Sequence, residues 1–421
     1  MTKFKLRALK ATLITWVVQL LVPPLFADNW TEWRGSRGDG IVNDSGFPRE
    51  WSADRNILWA TQLQAPGNSS PIVYEDRIFL TCANNDGTER CLYSFDRDSG
   101  KVLWTRAIPY KNDDPTHATN PWCAATPATD GKQVFVWNGS AGATAYDFEG
   151  NKLWHRDFGE FVHKWGHASS PRIYYDTVIY FGSPGPRVLL TALNKDTGET
   201  VWENHLSEVS SPPEENHGSF VTPYLWKNGV RDELLVPLPG QLASFDPRTG
   251  EKLWYCEGLG RLVYADAMLS EDLILAFSGF KGPAIGVRKP RSDETGNLTE
   301  SHRIWINDKT VQRVGTGIVV GDLFFLCGRK GILQCGDVNS GEIIWEENLR
   351  SQAWGSILLQ DGLLYLIDQK SETIVFEPAD AFKLVARNPM NIKEQSNSTL
   401  AFSEGQIFLR TYRALYAIKG N

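Results

Sequence analysis

Trp165 stands between two histidines in His163-Lys164-Trp165-Gly166-His167, and comparable mixtures of aromatic and polar residues recur along the chain. Asn120-Pro121-Trp122, Glu215-Asn216-His217-Gly218, Leu262-Val263-Tyr264-Ala265-Asp266, Arg313-Val314-Gly315-Thr316 and Ala353-Trp354-Gly355 each lead into a short β-rich run. Trp122, His163, Trp165, His167, His217, Tyr264, Asp266, Arg313 and Trp354 are therefore the candidate ligand-binding residues. Aromatic faces beside imidazole and guanidinium suit a flat ring, a sugar or an extended peptide. The competing reading is that these side chains brace loops or plug a channel.

Other chemistries fit less well. His163 and His167 have the four-residue spacing of helical metal ligands, but they precede a strand and Gly166 lies between them, so no metal site is expected. Tyr264 and Asp266 alternate, which puts both on one side of a strand and favours a structural hydrogen bond over acid–base work. Ser69, Ser169 and Ser219 lack the G-x-S-x-G elbow of a hydrolase nucleophile. No catalytic residue is assigned. Cys82 and Cys91 flank the turn Asn84-Asn85-Asp86-Gly87, and Cys327 and Cys335 flank Gly328-Arg329-Lys330-Gly331. Either pair could face across a hairpin as a disulfide or stay as buried thiols.

The elements that position these residues come from a repeat. Phe245-Asp246-Pro247-Arg248-Thr249-Gly250-Glu251-Lys252-Leu253-Trp254 reads as a strand end, a tight turn and a new strand closed by an aromatic anchor. Asp96 to Trp104 and Asp337 to Trp345 repeat it, Asn194 to Trp202 carries Asn for Asp, and Asp147 to Trp154 is one residue shorter. A degenerate copy ends at Val385. Closing strands at Trp59, Trp104, Trp154, Trp202, Trp254, Trp305, Trp345 and Val385 lie about 40 to 52 residues apart. A fixed period of that length means a repeat architecture.

Between anchors, a small or polar residue leads into an inner strand, followed by an Asp or Gly turn and two further strands. The last three strands, near 399–402, 406–410 and 414–418, lack a closing strand, and 57–60 is a closing strand without its first three. The two ends together complete one sheet. The expected fold is all-β: an eight-bladed β-propeller of four-stranded antiparallel blades, its last blade completed by an N-terminal strand. Residues 28–55 form a leader packed on the propeller, and 56–421 the propeller. Gly286 to Asn297 is expected to be an extended surface loop, and no segment has sustained helical periodicity. In such a ring the stretches before the inner strands crowd round the channel mouth.

Residues 1–27 read as an export signal: Lys3, Lys5, Arg7 and Lys10, an apolar run from Ala11 to Val22, and Ala27 before cleavage. The run is short of the ~20 residues a membrane-spanning helix needs. The expected place is periplasmic or extracellular. The net charge of −7 argues against nucleic acid as a partner. Radial blades leave few open edges, so a monomer is expected.

The phrase Ala/Ser-x-Asp-x-x-Thr/Ser-Gly-x-x-x-Trp resembles the tryptophan-docking motif of the pyrroloquinoline quinone (PQQ) repeat propellers. That family includes the quinoprotein alcohol dehydrogenases and the outer-membrane assembly scaffold BamB. The leader Trp33-Arg34-Gly35-x-x-Gly38-Asp39-Gly40 looks like the start of exported bacterial PQQ-like propellers. For a dehydrogenase the resemblance implies PQQ in the channel, stacked on a tryptophan under a disulfide of adjacent cysteines, with calcium held by Glu and Asn beside a catalytic Asp. No Cys-Cys pair occurs here, and no Glu, Asn and Asp set maps onto that site. The lipid-bearing cysteine of BamB is absent too. The expectation is a non-catalytic binding or scaffold protein, without cofactor, that takes a peptide, envelope protein or carbohydrate through its funnel or rim. The alternative is an oxidoreductase with PQQ and calcium in the channel.

Overall fold

The computed structural model describes residues 29–111, 114–279, 282–308 and 314–420. Residues 1–27, where the sequence suggests an export signal, and Arg313 lie outside the described residues. Eight four-stranded antiparallel blades stand in a ring, with inner strands Ile72–Tyr74, Ala128–Thr129, Arg172–Tyr174, Tyr224–Trp226, Met268–Leu269, Ile318–Val320, Leu358–Gln360 and Ala401–Ser403. They are numbered here as blades 1 to 8. Ile57–Gln62 supplies the outer strand of blade 8, with Trp59 opposite Ala417 and Thr61 opposite Leu415. The chain ends thus share one sheet. No helix among the described residues is long and apolar enough to cross a membrane.

The repeated phrase docks each blade on the next. The indole N–H groups of Trp59, Trp104, Trp154, Trp202, Trp305 and Trp345 donate to Arg97 O, Phe148 O, Lys195 O, Pro247 O, Val338 O and Ala379 O, at 2.8 to 3.1 Å. Five of these rings lie flat on the turn glycine of the following blade. A Cβ at Gly100, Gly150, Gly198, Gly250 or Gly341 would collide with the indole, and each glycine has φ between +68° and +81°. Two constraints, a positive φ and a flush ring, therefore fix glycine at this place.

Trp254 departs from the pattern. Its N–H donates 2.6 Å to Glu233 Oε2 inside its own blade, where Glu233 is fully buried against Arg231 and Ser244. Blade 5 offers no matching turn. The stretch taken as one loop is divided: Ala284–Arg288 is the third strand of blade 5, and Gly296–Asn297 pairs in parallel with Trp254–Tyr255. A helix of one turn, Thr299–His302, follows. An added edge strand replaces the missing dock.

The cysteine pairings are corrected by register. Cys82 does face Cys91, but Cys335 faces Phe325 and Cys327 faces Leu333. All six cysteines are free, buried thiols.

On the channel side a closed belt of eight hydrogen bonds runs from blade to blade. The backbone N–H groups of Ser70, Thr126, Ser170, Thr222, Asp266, Thr316, Ser356 and Thr399 each donate to the side-chain oxygen of the next residue in that series, and Thr399 returns to Ser70. The small polar residue before each inner strand is the repeat's second signature. Seven positions are Ser or Thr; blade 5 has Asp266.

Candidate functional site

The leader runs across the channel at the level of the inner strands. Trp30 exchanges backbone hydrogen bonds with Val73, Thr31 O accepts from Thr129 N, and Glu32 Oε1 accepts from Ile173 N. Arg34 Nη2 donates 2.9 Å to Gly317 O, and Ile41–Val42 pairs in parallel with Leu359–Gln360. Blades 1, 2, 3, 6 and 7 are thus tied to one segment. Glu32 and Arg172 form a 3.0 Å ion pair with side-chain exposures of 11% and 2%, so each supplies the charge that makes the other's burial tolerable. Burial pushes the Glu32 carboxyl up, against the pull of Arg172.

Asp266 joins belt and leader. Its Oδ1 accepts from Thr222 N and its Oδ2 from Trp33 Nε1, both at 2.8 Å. Burial raises its pKa, opposed by Arg34 and Arg172. With both oxygens engaged, the carboxylate is a structural acceptor, as its alternation with Tyr264 suggested.

Above this floor lies a cavity of about 390 Å³, on the side from which the inner strands start. Every blade contributes to its wall: Asn68, Asn120, Trp165, Phe220, Tyr264, Val314, Trp354 and Asn397 come in turn from the approaches to blades 1 to 8, and Trp33 lies at the base. Amides and aromatic faces dominate. Asn120 Oδ1 and Trp354 Nε1 are buried, closed off from the cavity, and without a hydrogen-bond partner.

Of the nine candidates, Trp165, Tyr264, Asp266 and Trp354 line this cavity. Four others do not. His163 lies beneath Trp165, fully buried: its Nδ1 accepts from Trp165 N at 3.2 Å and its Nε2 donates to Glu215 O at 3.1 Å. That pattern needs the neutral ring, and burial lowers its pKa to about 4. His167 is held between Phe161 O and Ser183 O, and burial lowers its pKa as well. Trp122, at φ 50°, donates to Asp114 O and walls a separate water-sized cavity of about 20 Å³ with Arg90 and His167. His217 is half-buried with Nε2 unpartnered and outside the wall. The reason is geometric: a side chain one or two residues off the register of the approach turns into the blade instead of the channel.

Sequence reasoning did not single out Trp33, His117, Thr119 and Asn397. Trp33 belongs to a segment without period. His117 and Thr119 sit in the long insert before blade 2, whose polar composition reads as surface. Asn397 had a usable signal, since an Asn-Ser pair stands at the approach to blade 1 as Asn68-Ser69 and again before blade 8 as Asn397-Ser398.

Three comparisons bear on this geometry. A protein-family model described as "Outer membrane protein assembly factor BamB" matches residues 88–257. A quinoprotein ethanol dehydrogenase of Pseudomonas putida is 33% identical over 108 residues, 23% of this chain and 16% of that protein, so the match spans about a sixth of the relative. Among solved structures, BamB from Moraxella catarrhalis superposes with a TM-score of 0.60 at 13% identity, covering 87% of this chain and 97% of that one. A europium-containing methanol dehydrogenase gives 0.67 at 10% identity, covering 93% and 98%. Quinohemoprotein alcohol dehydrogenase from Comamonas testosteroni gives 0.67 at 12%, covering 93% and 80%.

Proposed function

The chain is a PQQ-repeat β-propeller, and on that premise we propose that it is a non-catalytic binding or scaffold protein that takes a peptide, an envelope protein or a carbohydrate through its funnel. The observation that carries this reading is the funnel itself. Its wall is drawn from all eight blades, and its base is the protein's own leader. A pocket of this size with aromatic faces and a few convergent polar groups is the form of a specific small site. The export signal read in residues 1–27 favours work outside the cytoplasm, and the BamB match favours a protein partner.

The second reading, a quinoprotein-type oxidoreductase with PQQ and calcium, draws on the dehydrogenase match. The residues at the base of the funnel are poorly suited to the calcium of that site. Asp266, the carboxylate at the base, already accepts two N–H groups and lies near Arg34 and Arg172, whose positive charge opposes a divalent cation there. Among the described residues no three His, Cys, Asp or Glu converge as a metal site.

The test is to purify the exported chain and titrate it with neutral oligosaccharides and short peptides by calorimetry, and separately with PQQ and calcium while following quinone absorbance and dye reduction by alcohols. Saturable binding of a saccharide or peptide without turnover is expected. Quinone-dependent dye reduction that is lost in Trp165→Ala would replace this reading with the second.

A further inference from the structure

The side chains around the funnel are not spread evenly. Blades 3, 4 and 5 bring Trp165, Phe220 and Tyr264, whose ring centroids lie 5.2 to 6.5 Å apart, so the three form one continuous apolar wall. Their planes are tilted by 38° to 53° to one another. The wall is therefore concave, not the parallel-sided slot in which a flat heterocycle would stack. Across the ring, blades 8 and 1 bring Asn397 and Asn68. These amides are held in place. Asn397 Nδ2 donates 2.8 Å to Tyr412 Oη and 3.3 Å to Asn68 Oδ1, and Asn397 Oδ1 accepts from Gln369 Nε2 at 2.8 Å. Asn68 Nδ2 donates 2.6 Å to Thr119 O and keeps a second proton for a ligand.

Two further observations narrow the ligand class. Among the described residues that line the funnel, Asp266 is the one carboxylate, with both oxygens engaged, and there is no lysine or arginine. An ionic ligand would lose its hydration there without a counter-charge. The backbone donors are spent as well. The belt engages the N–H before each inner strand, and the approaches to blades 4 and 5 pair with each other at Gly218–Ser219 and Leu262–Val263. The leader pairs with the inner strands of blades 1 and 7. A peptide bound as an added strand needs open backbone groups of this kind, whereas a sugar ring needs a face and a few side-chain hydrogen-bonding groups.

We propose that the funnel binds the end of an uncharged glycan, with the apolar C–H face of a sugar ring laid on Trp165, Phe220 and Tyr264 and its hydroxyl groups turned to the amides of Asn68 and Asn397. The inference rests on the binding reading given above and selects the saccharide among its three ligand classes. The leader crosses the base with Trp33, so the glycan enters by its end and does not thread the channel. The locked amides and packed rings leave little side-chain freedom to be lost on binding, which favours affinity for a small ligand.

N,N′-diacetylchitobiose, cellobiose and maltose are each titrated into the folded chain by calorimetry, beside digalacturonate and a capped glycine-phenylalanine-glycine tripeptide. Saturable binding of at least one neutral disaccharide is expected, with no binding of digalacturonate or the tripeptide. Saturation-transfer NMR on the parent chain should carry magnetisation from aromatic protons to the C–H protons of one face of the bound ring. Trp165→Ala should weaken binding about tenfold or more and Asn68→Ala severalfold, with circular dichroism checking that both variants fold. No disaccharide bound at up to ~10 mM would overturn the saccharide assignment. If the tripeptide then binds and is lost in Trp165→Ala, the binding reading stands without it. Digalacturonate bound as tightly as the neutral disaccharides would also overturn the assignment. Quinone-dependent dye reduction would remove the binding reading itself, and this assignment with it.

Discussion

The circumference and the channel of this propeller hold the same eight blades by different means. At the circumference one device is copied: an indole laid on the next blade's turn, its N–H on a backbone carbonyl, used at six joints. Along the channel a belt of Ser and Thr closes the ring, and a leader without period is threaded through it. The repeated device suits generic joints. The irregular parts, Asp266, Glu32, Arg172 and Trp33, gather where a ligand site would be built. Repetition carries the architecture, and departures from it carry individuality.

Substitutions that treat the two regions alike should separate them. The largest effect is expected at the leader: Arg172→Leu strands Glu32 as a buried, unpaired carboxylate and should cost about 3–5 kcal/mol in denaturant unfolding. An unchanged midpoint would show that the leader is not part of the cooperative unit. Asp266→Ser restores the belt's consensus but drops the Trp33 anchor, a hydrogen bond to a charged acceptor, and should cost about 1.5–3 kcal/mol with a red shift of tryptophan emission.

At the circumference the same change should have unequal effects at two joints. Trp254→Phe leaves the buried Glu233 short of a donor and should cost about 1–3 kcal/mol beyond any loss of packing, whereas Trp202→Phe gives up one bond to a neutral carbonyl, about 0.5–1.5 kcal/mol. Equal losses would remove the distinction drawn for blade 4.

At neutral pH the smallest effect is a pH dependence local to the funnel, which grows only on acidification. His163 is held neutral with its pKa lowered to about 4, so in the unfolded chain it takes up a proton first. Its contribution is full above pH 6.5 and falls as pH drops towards 4. Protonation of the folded chain, around pH 4, removes the Nδ1 acceptor of Trp165 N, so Trp165 should loosen only as pH approaches 4. His163→Gln should flatten the stability profile between pH 4 and 6.5; a profile unchanged from that of the parent would remove His163 from this role.

Much of this was legible in the sequence because repetition exposes what each position must do. Trp59 and Leu415 could be assigned to one sheet because each end lacked what the other supplied. The docking glycines were visible as turn formers, although the collision with an indole appears only in three dimensions. What could not be read was contact between distant, unrepeated residues. Glu32 and Arg172 are 140 positions apart, and Glu32 lies in the leader, outside the repeat. Trp254 was read as a typical anchor because its own blade is regular; the cause of its departure lies in the next one. In the site, the approaches were the right segments, but a shift of one or two residues decides whether a side chain such as His163 or Trp122 faces the channel or the blade.

The most direct test compares the two mouths of the channel. Calorimetric affinity for a saccharide or peptide bound by the parent chain would be measured for Trp354→Ala, in the funnel, and Tyr175→Ala, 65% exposed in an inner hairpin turn away from the funnel wall. The account predicts a loss of about tenfold or more for Trp354→Ala, a change of ~1.4 kcal/mol, and none for Tyr175→Ala. Equal affinity in the parent and Trp354→Ala, with loss in Tyr175→Ala, would contradict it.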